Sequence, residues 1–155
     1  MICDIFVETS LNFGQRANGI VGIALQVKDL EAKTVFGTVK NCSQCQAVLI
    51  GLKNALTYTS CEELRIHISN YAVGNALKNG WLDRWEQNLF VGSSKKVIKN
   101  AKEWHELHNA IKGRKIEIHL NEFNGFRNWL IYESKRRMDK HARILSGLGK
   151  VQTEV

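Results

Sequence analysis

Leu64, Ile66 and Ile68 alternate with Arg65 and His67, and the run ends on Ser69 and Asn70. A strand that passes into a helix presents such end residues at its C-terminal edge, where open sheets place their ligands. Farther along, Lys95, Lys96, Lys99 and Lys102 crowd a short excursion that begins at Gly92, with Trp81, Trp85 and Trp104 on either side. Ammonium groups at that density suit phosphate binding. The tryptophans, at helical spacing, read first as core packing and only second as stacking groups. Another basic block, Lys135, Arg136, Arg137, Lys140, His141 and Arg143, suits a second nucleic-acid contact or a docking surface for an acidic protein partner. Metal donors are sparse by comparison. His105 and His108 lie three apart on a helical stretch without a third donor at a suggestive spacing, and read as surface residues. Cys42 and Cys45 form a CxxC with no second pair, so no structural zinc site is expected. Cys3 and Cys61 read as small buried apolar residues, and His67 and His119 as outward-facing strand positions.

Length and charge narrow the partners. A chain of 155 residues is one domain by size, with room for a real core. A formal charge of +7 favours a polyanion, nucleic acid before membrane. No apolar run is long enough to span a bilayer and no secretory pattern opens the chain, so an intracellular, cytoplasmic, soluble protein is expected.

The elements that must position these groups follow from periodicity. Residues 2–8, 20–28 and 33–39 read as three strands joined by turns, with Gly37 a possible bulge. Asn41 or Ser43 can cap a helix over 44–58, whose stripe is Ala47, Val48, Leu52, Ala55 and Leu56. A fourth strand covers 64–68. Val73, Leu77, Trp81 and Trp85, four apart, predict one helix over 71–88, and a shorter helix is expected over 101–111. A fifth strand over 115–120, a loop over 121–128 and a basic helix from Trp129 to about residue 145 complete the order β-β-β-α-β-α-α-β-α. The expected fold class is α/β (α+β): a five-stranded mixed sheet flanked by helices, in one domain over 1–145 with a frayed tail over 146–155.

Several segments, taken in order, resemble the type 1 ribonuclease H family. IFVETS is similar to the family's IFTDGS, and VKNCSQCQAVLIGL to its TNNxAEYxALIxGL. ISNYAV stands where TDSxxV is found. Trp81, Trp85, Lys95-Lys96, Lys99-Asn100 and Trp104 follow the family's W…W…KK…VKN…LW series. The resemblance implies the ribonuclease H-like fold and two-metal hydrolysis of the RNA strand of an RNA–DNA hybrid. In that chemistry four acidic residues hold two magnesium ions about 4 Å apart, which activate water and steady the leaving oxygen. It also implies that the lysine excursion grips the hybrid's DNA backbone, with an aromatic against a sugar.

Carried across residue by residue, the resemblance places the four catalytic acids at Glu8, Gln44, Ser69 and Glu133, or Tyr132 for the last if a one-residue gap is admitted. The family's loop histidine falls near Phe123, beside Glu122, and Gly125 keeps a family-like position. Only Glu8 and Glu133 remain anionic, so they are the candidate metal ligands, and tight binding of Mg2+ or Mn2+ is not expected. Among neighbouring carboxylates, Asp4 and Glu63 lie away from the active end, and Glu122 alone could substitute. The nucleic-acid contacts expected are Lys95, Lys96, Lys99, Lys102, Trp81, Trp85, Asn70, Arg136 and Arg137. The leading expectation is a hybrid- or duplex-binding protein with weak or lost nuclease activity. The alternatives are an active metal-dependent hybrid endoribonuclease with an altered acidic site, and a protein-interaction scaffold in a nucleoprotein assembly.

Overall fold

Alternation of Ile5 and Val7 with Phe6 and Glu8 would ordinarily mark a strand with one wet face, yet these four residues are all buried. In the computed structural model, which describes residues 1–92 and 95–146 and side chains as far as residue 140, β1 (Ile2–Thr9) is the central strand of five. β2 (Arg16–Val27) pairs with it antiparallel, and β3 (Lys33–Ser43) extends the sheet antiparallel beyond β2. On the other side β4 (Glu63–Ile68) runs parallel to β1, and β5 (Lys115–Leu120) runs parallel to β4. The order across the sheet is β3-β2-β1-β4-β5, a mixed sheet as expected.

Helices cover both faces. α1 (Gln44–Leu56) buries Ala47, Val48, Leu49, Leu52 and Ala55 against β1 and β2, and α4 (Ala101–Ile111) packs on α1 through Trp104 and Leu107. Ser43, rather than Asn41, caps α1: its Oγ accepts from the Gln46 amide at 3.1 Å, an arrangement that contributes about 1 kcal/mol. On the opposite face α5 (Arg127–Ser146) crosses β2 and β1 over a smaller cluster of Phe6, Ala24 and Leu130.

Four expectations need correcting. The single helix over 71–88 is two, α2 (Tyr71–Lys78) and α3 (Trp81–Gln87), broken where Gly80 takes a left-handed φ of 67°. An apolar spacing of four continues across such a break unchanged, so periodicity alone does not reveal it. The irregularity in the β2–β3 ladder falls between Ala17 and Gly19, not at Gly37. His67 and His119 are stacked on each other at 4.6 Å, with Phe6 closing the stack on His67 and Asp4 at 2.7 Å from the His67 Nε2. His108 is 6% exposed and contacts Glu86, tying α4 to α3. The expected tail lies, from residue 147 on, outside the described residues. No helix among those described is long and apolar enough to cross a membrane.

Gly22, opposite Glu8 on β2, lies against Leu130 and Ser134 of α5. A Cβ there would stand 2.8 Å from Phe36 Cε1, 2.9 Å from Ser134 Oγ and 3.2 Å from Leu130 Cδ2. Gly22→Ala is therefore expected to push α5 off the sheet and lower stability by about 1–3 kcal/mol, read from urea unfolding.

Candidate functional site

Extending the parallel register Ile5↔Ile66 and Phe6↔His67 by two residues sets Glu8 beside Ser69. The Ser69 hydroxyl donates to Glu8 Oε1 at 2.6 Å. Next in sequence, Asn70 caps α2, its Oδ1 accepting from the Val73 amide at 3.0 Å. The other end of the Asn70 amide donates to Gln44 Oε1 at 2.9 Å, while Gln44 Nε2 donates to the Leu11 carbonyl at 3.0 Å. Three of the four expected positions, Glu8, Gln44 and Ser69, thus meet at the C-terminal edge of β1 and β4.

Among the described residues Glu133 forms no hydrogen bond with them. It lies on the buried side of α5, and its carboxylate turns along the helix to accept from Arg136 (2.5 and 3.0 Å) and Arg137 (3.0 Å). The Arg136 hydrogen bond, reinforced by Arg137, holds this carboxyl down at about 2. Glu8 shows the opposite behaviour. Burial pushes its carboxyl from an ordinary 4.5 up to about 7, against the Ser69 hydrogen bond and the positive charge of Arg127.

A pair of dications requires several anionic oxygens aimed at a shared space. Here the Gln44 amide is used at both ends, Ser69 donates its proton to Glu8, and Glu133 is held by two guanidinium groups. Glu122 Oε1 lies 3.2 Å from His119 Nδ1, so it is engaged on the sheet face beyond β5. Among the described residues no three His, Cys, Asp or Glu side chains are grouped to hold a metal ion. The residues present do not fit a two-metal centre.

Beside this edge opens a cleft of about 460 Å³ whose walls include Phe13, Arg16, Gln44, Trp81, Trp85 and Lys99. Trp81 and Trp85 have ring centroids 6.1 Å apart, and Trp85 meets the buried Trp104 edge-on at 5.2 Å. All three tryptophans line the cleft but differ in exposure: Trp104 is a core residue at its wall, whereas Trp81 is 36% exposed. Lys95 and Lys96 sit exposed on the adjoining hairpin, held by the Val91–Val97 bridge, and Lys102 is exposed on α4. Arg136 and Arg137 belong to α5, across the sheet from α1 and α4, and Arg137 covers the Phe36 ring at 4.0 Å. They do not converge with the lysines. Sequence reasoning missed Phe13 and Arg16, which fall in a stretch read as a turn, and Arg127, whose signal was its place two residues after Gly125.

No family model matches the chain. In sequence it is 33% identical over 106 residues to the ribonuclease H of Thermoanaerobacter sp. (strain X514), covering 64% of this chain and 66% of that protein. The chain thus spans just under two thirds of the length of that relative. Among solved structures, LC9-RNase H1, a type 1 RNase H with the type 2 active-site motif, superposes with a TM-score of 0.68 at 13% identity, over 86% of this chain and 70% of that one. LC11-RNase H1, solved in complex with RNA/DNA hybrid, superposes with a TM-score of 0.59 at 11% identity, over 88% and 98%. At these identities the structures show a common fold.

Because Glu8 ionises less readily in the folded chain, its contribution to stability is complete below about pH 4.5 and is lost as pH rises through about 7. Glu8→Gln keeps an acceptor for Ser69 and removes the charge. It is expected to flatten this fall and to raise stability above pH 7 by at most about 3 kcal/mol, seen in thermal melts taken from pH 4 to pH 8.

Proposed function

With the chain related in sequence to the ribonucleases H and carrying the fold of their type 1 members, we propose that it binds RNA–DNA hybrid or related duplex nucleic acid and cleaves it weakly or not at all. One observation carries this reading: the side chains at the four expected catalytic positions each hydrogen-bond within the chain, while the cleft beside them stays open. A nuclease of this type needs anionic ligands directed at metal ions. A binder needs cations and flat apolar surface along a backbone track, which Lys99, Arg16, Trp81 and Phe13 supply in one cleft, with Lys95 and Lys96 beyond it.

The hybrid-bound LC11-RNase H1 supports the choice of ligand, since its fold is shared over 88% of this chain. The excess of lysine and arginine, +7 overall, supports a backbone-reading mode with strong salt dependence. The basic face of α5 takes a separate part in the proposal. Lys135 and Lys140 are exposed there, while Arg136 and Arg137 are engaged with Glu133. That face suits an acidic protein partner better than the hybrid held at the cleft.

Binding of a labelled hybrid is expected to weaken steeply between 50 and 200 mM salt. Replacing Lys95, Lys96 and Lys99 together by Ala should reduce the slope of log affinity against log salt by roughly 2 to 3. No affinity at low salt, or a slope indifferent to the three lysines, defeats the proposal. Incubation with hybrid in Mg2+ and in Mn2+ is expected to give little or no cleavage. Cleavage that disappears in both Glu8→Ala and Glu133→Ala would instead establish a working nuclease with an altered metal set.

A further inference from the structure

Arg127 is the cation nearest the Glu8–Ser69 edge in its electrical effect, drawing the Glu8 carboxyl down against burial. Its position is built from several sides. The amide of Asn121 donates to the Ile68 carbonyl at 2.8 Å, so the end of β5 lies beside the residue preceding Ser69. Asn121 takes a left-handed φ of 56° there, and its side chain donates to Tyr71 Oη at 2.8 Å. The same side chain accepts from Arg127 Nη2 at 2.5 Å. From below, Asn124 Oδ1 accepts the amides of Phe126 (2.9 Å) and Arg127 (2.8 Å), which anchors the first turn of α5.

Three other arginines are matched with carboxylates, Arg65 with Asp4 and Arg136 and Arg137 with Glu133, while Arg16 on β2 donates to Asn41 Oδ1 and Arg114 to the Thr59 carbonyl. Among the described residues Arg127 is held by a neutral amide, which orients the guanidinium without neutralising it. Its remaining N–H donors form no other hydrogen bond among those residues. A planar fork with spare donors, half-buried and backed by polar groups, matches two oxygens of a phosphodiester.

We propose that Arg127 holds an internucleotide phosphodiester of the bound strand at the C-terminal edge of β1 and β4, supplying there a covalently fixed cation. This rests on the hybrid-binding reading and sharpens it. The positive charge at the site belongs to the chain, so binding at this edge is independent of divalent ions. Asn121 and Tyr71 act as positioning residues for the guanidinium, not as ligands.

The test is fluorescence anisotropy of a labelled RNA–DNA hybrid at low salt, with EDTA and with Mg2+. Wild type is expected to bind equally in both. Arg127→Gln should bind roughly tenfold or more weakly, the scale of a charge-assisted contact, and Arg127→Lys should recover part of the loss. A scan of single methylphosphonate linkages along the strand, each neutral, should find one that weakens wild type and does not weaken Arg127→Gln further. A structural role for Arg127 would not produce that linkage-specific coupling. Should Arg127→Gln fail to fold, Arg127→Lys takes its place in the scan. If wild type binds hybrid but Arg127→Gln or the scan shows no coupling, the phosphate assignment falls and the binding reading stands. A requirement for Mg2+ also overturns the assignment. If wild type has no affinity for hybrid, both fall together.

Discussion

Parallel pairing of β1 with β4 sets the geometry of the whole C-terminal edge. β1 is buried on both faces, so its side chains cannot shift register without exposing Ile5 and Val7 or driving Glu8 into the opposite core. With that register held, Glu8 and Ser69 are brought together, Asn70 begins α2, and Gln44 at the head of α1 reaches Asn70. The edge is a chain of neutral hydrogen bonds ending on a single buried carboxyl. In such surroundings one negative charge already costs several kcal/mol, and burial drives Glu8 towards its protonated form.

α5 answers a different demand. Leu130 and Ser134 take the inner face because Gly22 allows them to approach β2, and Phe36 and Phe126 seal the cluster. Glu133 stands beside Ser134, but its charge is satisfied along the helix by Arg136 and Arg137 at i+3 and i+4. A carboxylate so compensated has little reason to cross to the sheet edge. Arg127, one turn before Leu130, keeps its charge unmatched and brings a cation to that edge.

The aromatic cleft depends on the broken helix. Had residues 71–88 formed one straight helix, Trp81 and Trp85 would continue the buried stripe of Val73 and Leu77. The left-handed turn at Gly80 re-aims α3, so that Trp85 meets the buried Trp104 while Trp81 opens towards Lys99 and Phe13. α3 is tied back to α4 by the contact of the buried His108 with Glu86.

Strand order along the chain and the helix begun by Ser43 were legible in the sequence. Each is a local matter of periodicity or capping. That Gln44 and Ser69 carry no charge was legible too, since it is a matter of residue type alone. The direction in which Glu133 points was not, because Arg136 and Arg137 compete for it on the helix surface and spacing does not say which partner wins. Nor was the break at Gly80, the stacking of His67 with His119 and Phe6, or the burial of His108, since local pattern assigns these histidines to solvent. The Arg127 side chain is held by Asn121, whose own place comes from a bond to the Ile68 carbonyl on a strand far away in sequence. Residue types and their order determined which charges this protein has to spend. Long-range packing decided which of them cancel within the chain and which face the edge of the sheet.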